Sequence, residues 1–253
     1  MQTSILPTAA PFFSVPFFAS LPLPLAGAGL VCVGIDLKGN AEDWWAAALP
    51  WVTTDEQTRA RRFHQRMDVV RHLVGRALIR VLLAREFGAA ALSAEFVANP
   101  WGKPTLPGSG FEFSISHSGN AVWVALCRGF AVGIDVERAD TVTDPHALAD
   151  VFHPTERAEL LLLPAVEAQC AFLRCWTRKE AVVKALGEGL SRPFSSFCVR
   201  TDECASDWLV EVPEAKAEGW TSADLPVSTG YHASVAVMAP CFPITCHLVK
   251  YPG

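Results

Sequence analysis

Asp135 and Glu137 stand two apart in the stretch Gly133-Ile134-Asp135-Val136-Glu137. On a strand, both carboxylates point to one face, roughly 6–7 Å apart at the usual rise per residue, and Ile134 and Val136 point into a core. The pair reads either as a solvated strand end or as an enclosed pair that wants a cation. A second group lies in Trp176-Thr177-Arg178-Lys179-Glu180-Ala181-Val182-Val183-Lys184. On a helix Phe172, Trp176, Glu180 and Lys184 share one face, which puts Glu180 at the margin of the core. Glu180 and Lys184 form a helix ion pair worth a few tenths of a kcal/mol, or Glu180 joins Asp135 and Glu137 around a hard divalent ion. In the second case Lys179 and Lys184 neutralise phosphate on the same ligand, and Mg²⁺ fits, because it takes carboxylate and phosphate oxygens and keeps some waters. A third group is Ser114-Ile115-Ser116-His117-Ser118-Gly119. It reads either as a hydroxyl-rich turn with a surface histidine or as a phosphate cradle of hydroxyls, turn amides and an imidazole.

The elements that must carry these groups are visible in the periodicity. Residues 30–37 are apolar and β-branched, a strand. Residues 53–87 read as one helix, capped by Thr54 or Asp55, stopped by Gly88, with Val70, Leu73, Val74, Ala77, Leu78, Val81 and Leu82 on a core-facing stripe. A Pro- and Gly-rich loop follows to residue 110. Residues 111–116, 121–127 and 129–137 read as three strands of an antiparallel meander, with His117-Ser118-Gly119-Asn120 as the first turn. A helical region covers 154–187, interrupted near Pro164 and ended by Gly187 and Gly189. Strands are expected at 195–201, 207–212, 231–238 and 243–250. No repeat of fixed period is seen. The halves share a coarse plan of a strand, helices and then strands, and the chain divides near residue 133: a Pro-rich apolar arm 1–29, an N-terminal lobe 30–133 and a C-terminal lobe 134–253.

Composition narrows the function classes. The 253 residues are 51% hydrophobic with a formal charge of −5, enough for a sizeable core and against a general nucleic-acid binder. Eight arginines nevertheless crowd residues 59–85, which suits a local anion site better than a polyanion track. The eight cysteines have no C-x-x-C spacing. They read as free thiols of a cytoplasmic protein rather than as zinc ligands or disulfides. The apolar N-terminus has no Lys or Arg before Lys38 and is broken by five prolines. It is expected to be an extended arm, part of it laid over the core, rather than a signal peptide. No uninterrupted run is long enough for a membrane span. No P-loop and no G-x-S-x-G is present, and the glycines at 27–34 precede no helix.

The motifs FSISHSG (113–119), GIDVE (133–137) and WTRKEAVVKALGEGL (176–190), in that order, resemble those of the 4′-phosphopantetheinyl transferases, in their broad-specificity two-lobe (Sfp-type) form. NPWGKPTL (99–106), the arginine-rich helix 59–80 and VFHPTERAEL (151–160) resemble further segments of that family, and the likeness runs from about residue 50 to 197. The resemblance implies an α+β fold of two similar α/β lobes with antiparallel sheets, related by pseudo-two-fold symmetry, with the active site in the cleft between them. It implies transfer of the phosphopantetheine arm of coenzyme A to a serine of an apo acyl or peptidyl carrier protein, releasing adenosine 3′,5′-bisphosphate. By position, Asp135, Glu137 and Glu180 would hold Mg²⁺ (Mn²⁺ as substitute). Lys179 and Lys184 would neutralise the pyrophosphate. Arg59, Lys103, Ser116 and His117 would hold the 3′-phosphate and nearby parts of coenzyme A, with Arg62 as a helper. The serine needs a base: Glu180, through the metal site or a water, with Glu156 and Glu137 as alternatives. The chain is expected to be a monomer that binds neither nucleic acid nor membrane. Two rivals use the same residues: a Mg²⁺-dependent hydrolase of coenzyme A-like pyrophosphates, which releases product without a carrier, and a non-catalytic protein that binds coenzyme A or a carrier.

Overall fold

The computed structural model describes residues 17–21, 29–212 and 217–249. Within them the chain runs α1 (Phe17–Ser20), β1 (Leu30–Asp36), α2 (Ala41–Ala48), α3 (Thr54–Ala60), α4 (Arg66–Phe87), β2 (Val97–Ala98), β3 (Pro104–Thr105), β4 (Phe111–Ser118), β5 (Ala121–Arg128) and β6 (Val132–Arg138). It continues with α5 (Pro145–Leu148), α6 (Pro154–Leu161), α7 (Ala165–Leu186), β7 (Cys198–Val199), β8 (Leu209–Glu211), β9 (Thr221–Asp224), β10 (Tyr231–Val237) and β11 (Ile244–Val249). This is the expected α+β class.

The strands form two main sheets, β11-β1-β5-β4 and β6-β10-β9. The single helix expected over 53–87 is two: α3 ends at Ala60 and α4 begins at Arg66. The cap is Thr53 rather than Thr54 or Asp55, because Thr53 and Glu56 bond reciprocally to each other's main-chain N–H. Gly88 does end α4, at φ 78°. Helix α4 lays Val70, Leu73, Val74, Ala77 and Leu78 into the core of the first sheet, and α7 lays Phe172, Leu173, Val182 and Val183 into the core of the second half. Of the N-terminal arm, Phe17–Ser20 is a helical turn rather than extended chain, and Phe17, Phe18 and Leu21 are buried against this first core; residues 1–16 and 22–28 lie outside the described residues.

The halves are more alike than the sequence reading found. In each, a strand is followed by two short capped helices, a 22-residue helix, a small hairpin and two strands, and the sheet order is first, last, middle: β1-β5-β4 and β6-β10-β9. Val33-Gly34-Ile35-Asp36 opens the first half and Val132-Gly133-Ile134-Asp135 opens the second. Glu56 of the first capping box is paired with buried Arg80 of α4 at 2.8 Å. Glu156 of the second is paired with buried Lys179 of α7 at 2.8 Å.

Two expectations about organisation need correction. Strands β4, β5 and β6 are not one meander. The chain leaves β5 for the second sheet, where β6 pairs with β10. The cut at 133/134 therefore falls inside β6, and β11 pairs in parallel with β1 of the first sheet, so residues 244–249 belong with the N-terminal lobe.

The lobes meet along β4 and β6, which run side by side joined by side chains instead of a main-chain ladder. The Ser114, Ser116 and Ser118 hydroxyls accept from the N–H groups of Ile134, Val136 and Arg138 at 3.2, 3.3 and 3.1 Å. Alternate residues of a strand face one way, so three serines at period two line up against alternate amides of the neighbour.

Candidate active site between the lobes

Strand β6 delivers Asp135 and Glu137 to the interlobe face. Helix α7 can approach β6 closely because Gly133 has no side chain: a Cβ there would lie 1.9 Å from the Ala181 carbonyl oxygen. That approach brings Glu180 and Lys184 to the acids, and the four side chains line one cavity of about 310 Å³ with Ile115, Ser116, His117 and Trp176. Trp176 packs edge-on against Phe194, 5.1 Å between ring centres.

The electrostatics are those of an anionic pocket held shut by one cation. The Lys184 ammonium donates to Asp135 Oδ1 at 2.6 Å and to Ser116 Oγ at 3.0 Å. Burial opposes its charge, but Asp135, Glu180 and Glu137 outweigh that and hold Lys184 above its usual range. Burial raises the Glu180 carboxyl, with Lys184 opposing and Asp135 adding to the rise. Burial and then the neighbouring Asp135 raise Glu137, against the hydrogen bond from Ser118. Asp135 Oδ2 is buried without a hydrogen-bond partner.

These features fit a hard divalent cation: the donors are carboxylate oxygens, one is orphaned, and burial raises the Glu137 and Glu180 carboxyls. Among the described residues, no group of three or more His, Cys, Asp or Glu side chains is placed so as to hold a metal ion; an ion here would have to draw part of its shell from substrate phosphate and water, as Mg²⁺ does.

A second cavity of about 300 Å³ adjoins the first and shares Ile115, His117 and Lys184 with it; His72, Arg76, Trp101 and Lys103 also line it. Its floor is β4, which continues through His117 and Ser118, so the expected turn shrinks to Gly119-Asn120. His117 is held below its usual range by burial and by the charge of Arg71. His72, pushed down to about 4 by burial and by Arg76, has its Nε2 buried without a partner. Asn99 ties the mouth together: its amide donates to the Gly187 carbonyl at 2.8 Å and its carbonyl accepts from Lys103 N at 2.9 Å.

Measured against expectation, Asp135, Glu137, Glu180, Lys184, Ser116 and His117 come together, and Lys103 joins them through the second cavity. Lys103 bridges the lobes by donating to the Val132 and Ala185 carbonyls at 3.1 and 3.2 Å. Burial lowers its pKa, partly offset by Glu112.

Four assignments change. Lys179 is fully buried and turned away, bonded to the Phe194 and Phe197 carbonyls at 2.7 Å each and paired with Glu156. It lines neither cavity. Glu156 is equally buried and accepts from the amides of His153 and Val199, so it is no candidate base. Ser116 has its hydroxyl saturated, donating to Asp135 Oδ1 at 2.8 Å while accepting from Val136 N and Lys184 Nζ. Arg59 is exposed and lines an adjoining polar cavity with Arg76 and Arg80. That cavity meets the second one at Arg76 and Pro104. Sequence reasoning missed His72 and Arg76 as lining residues. Their i, i+4 spacing on α4 was the available signal, lost among the many arginines of that segment.

The likeness to known proteins covers both halves of the chain. Residues 131–236 match the family described as the 4′-phosphopantetheinyl transferase superfamily, and residues 40–128 match the family described as 4′-phosphopantetheinyl transferase, N-terminal. The chain is 29% identical over 206 residues to the 4′-phosphopantetheinyl transferase Sfp of Bacillus subtilis (strain 168), covering 80% of this chain and 89% of that protein. It is 33% identical over 165 residues to another 4′-phosphopantetheinyl transferase of Bacillus subtilis, covering 65% and 71%. It is 34% identical over 146 residues to the 4′-phosphopantetheinyl transferase HetI of Nostoc sp., covering 56% and 62%. With each half matched to this family and one relative a third identical over most of its length, the chain belongs to the 4′-phosphopantetheinyl transferase superfamily.

Proposed function

We propose that the interlobe cleft is where this transferase binds coenzyme A and moves its 4′-phosphopantetheine arm to a carrier-protein serine. The observation that carries the reading is the convergence of two acids of β6 with Glu180 and Lys184 of α7 in a cavity adjoining a basic, histidine-lined one. Coenzyme A has a matching polarity: a pyrophosphate in the middle and a 3′-phosphate at the adenosine end.

In the reaction the carrier serine Oγ forms a bond to the phosphorus that bears pantetheine. The bridging P–O bond of the pyrophosphate breaks, and adenosine 3′,5′-bisphosphate leaves with the negative charge. Such a step needs in-line positioning and charge neutralisation more than covalent catalysis. Lys184, kept charged by the three acids, offsets charge on the leaving phosphate. Glu180 takes the serine proton through a water. Asp135, Glu137 and Glu180 are the residues that would hold Mg²⁺, which supplies Lewis-acid polarisation of a phosphoryl oxygen when bound. His117, His72, Arg76 and Lys103 line the cavity suited to the adenosine end, with Arg59 further out.

We place the protein in the cytoplasm as a monomer. Among the described residues no helix is long and apolar enough to cross a membrane, all eight cysteines are free, and one chain supplies both walls of its own cleft. Intact-mass spectrometry of an apo carrier protein incubated with the protein, coenzyme A and Mg²⁺ is the test. One added phosphopantetheine, lost with EDTA and with Glu180→Gln, supports the site assignment. Undiminished transfer by Glu180→Gln refutes it, and cleavage of coenzyme A with no carrier present points to a hydrolase instead.

A further inference from the structure

The serines between β4 and β6 do two jobs with one hydroxyl. Each accepts from a β6 amide, and two of them also donate to an acid of the site: Ser116 to Asp135 Oδ1 at 2.8 Å and Ser118 to Glu137 Oε2 at 2.7 Å. Ser114, with the same amide contact, touches no acid. Each acid thus has one oxygen committed to the seam. Asp135 Oδ2 is left without a partner, and among the described residues Glu137 Oε1 takes no hydrogen bond.

We propose that Ser118 is a positioning residue that fixes the rotamer of Glu137, so that Oε1 faces the cation and Oε2 faces the seam. The inference rests on reading the acidic cavity as a cation site. A glutamate on a strand has three rotatable bonds, and Glu137 sits at the more open end of the acid pair, half-buried where Asp135 is buried. Asp135 is held twice, by Ser116 and by Lys184. Glu137 is held by Ser118 and has no lysine of its own. The partner of a ligating carboxylate sets its orientation, and its removal commonly weakens metal binding 10- to 100-fold. The Ser118 hydroxyl is itself fixed by accepting from Arg138 N at 3.1 Å. The orientation of the acid is therefore referred to the junction of the two lobes rather than to a flexible side chain.

Mn²⁺ is the probe, titrated into the full-length protein in the presence of coenzyme A and followed by the electron paramagnetic resonance signal of the free ion. Wild type binds the ion. Ser118→Ala is expected to bind it roughly tenfold more weakly, and Ser118→Thr, which restores a hydroxyl, to recover most of the affinity. Ser114→Ala removes a seam bond without touching an acid, so it lowers the melting temperature as Ser118→Ala does but leaves Mn²⁺ affinity unchanged. In transfer assays, Ser118→Ala raises the metal concentration for half-maximal rate by the same factor, with kcat at saturating metal near wild type. Equal Mn²⁺ affinity in wild type and Ser118→Ala, or equal weakening by Ser114→Ala, overturns the positioning role while sparing the cation site. No Mn²⁺ binding by wild type overturns both.

Discussion

Glu180 and Glu137 are ionisable groups placed where the folded chain resists their charge. Both carboxyls are raised, chiefly by burial. The sign follows from linkage: the unfolded chain gives up these protons at a lower pH than the folded one, so stability falls as pH rises through and above the usual carboxylate range. Glu180→Gln in metal-free protein is therefore expected to raise the urea midpoint at pH 7, with the gain vanishing near pH 4, while abolishing transfer. A variant no more stable than wild type at pH 7 contradicts this account. Lys179 gives the opposite pattern. It is buried with Glu156, and breaking one side of such a pair costs about 3–5 kcal/mol. Lys179→Met should show a loss of that order in chemical denaturation, with the KM for coenzyme A unchanged in the folded fraction; a large rise in KM would return Lys179 to the ligand. The motif made both residues look alike. On a helix, however, neighbours project about 100° apart, so when Glu180 faces the cleft Lys179 must face elsewhere. Which of two adjacent charged residues meets the ligand depends on the helix's rotation against β6, and no local sequence pattern states that rotation.

At the scale of elements, the contact between β6 and α7 decides whether the acids meet. A Cβ on Gly133 would collide with main-chain atoms of Ala181 and Ala185, which cannot swing aside as a side chain would. Gly133→Ala should force strand and helix apart, costing about 1–3 kcal/mol as other overpacked sites do, and should reduce transfer more than tenfold by displacing Glu180 from Asp135. Differential scanning calorimetry and the mass assay read the two effects; full activity with unchanged stability would show that the approach is looser than described. Much of the element plan was legible. The alternation in β4 and the apolar stripe of α4 follow from periods of two and 3.6. The partnership of strands was not. The three-residue link from β5 into β6 looks like a hairpin link, yet it carries the chain into another sheet. The serines of β4 looked like a phosphate cradle because their real acceptors and donors, the amides and acids of β6, lie on a strand that local pattern had placed elsewhere.

For the whole molecule, the lobes are a repeated plan but not independent units. Strand β6 has amides satisfied only from β4, Lys103 and Asn99 cross to the end of α7, and β11 completes the other lobe's sheet. Residues 134–253 expressed alone should lack a cooperative urea transition and show poor amide dispersion by NMR, whereas the intact chain unfolds in one transition; a folded fragment would mean the seam is dispensable. Sequence alone suggested a tidy division near residue 133 because each half reads as a strand, helices and then strands, while the pairing of residues 30–35 with 244–249 is a long-range fact with no local signature. That pairing has a consequence for biosynthesis. Strand β1 emerges from the ribosome roughly two hundred residues before the strand that covers its edge. Until then its Leu30–Ile35 edge is an apolar template of unpaired amides and carbonyls, open to the wrong partner. Closing so long a loop is also slow. The yield of native protein should thus be sensitive to translation rate, temperature and chaperone supply, and misassembly should begin at this edge rather than at the cleft.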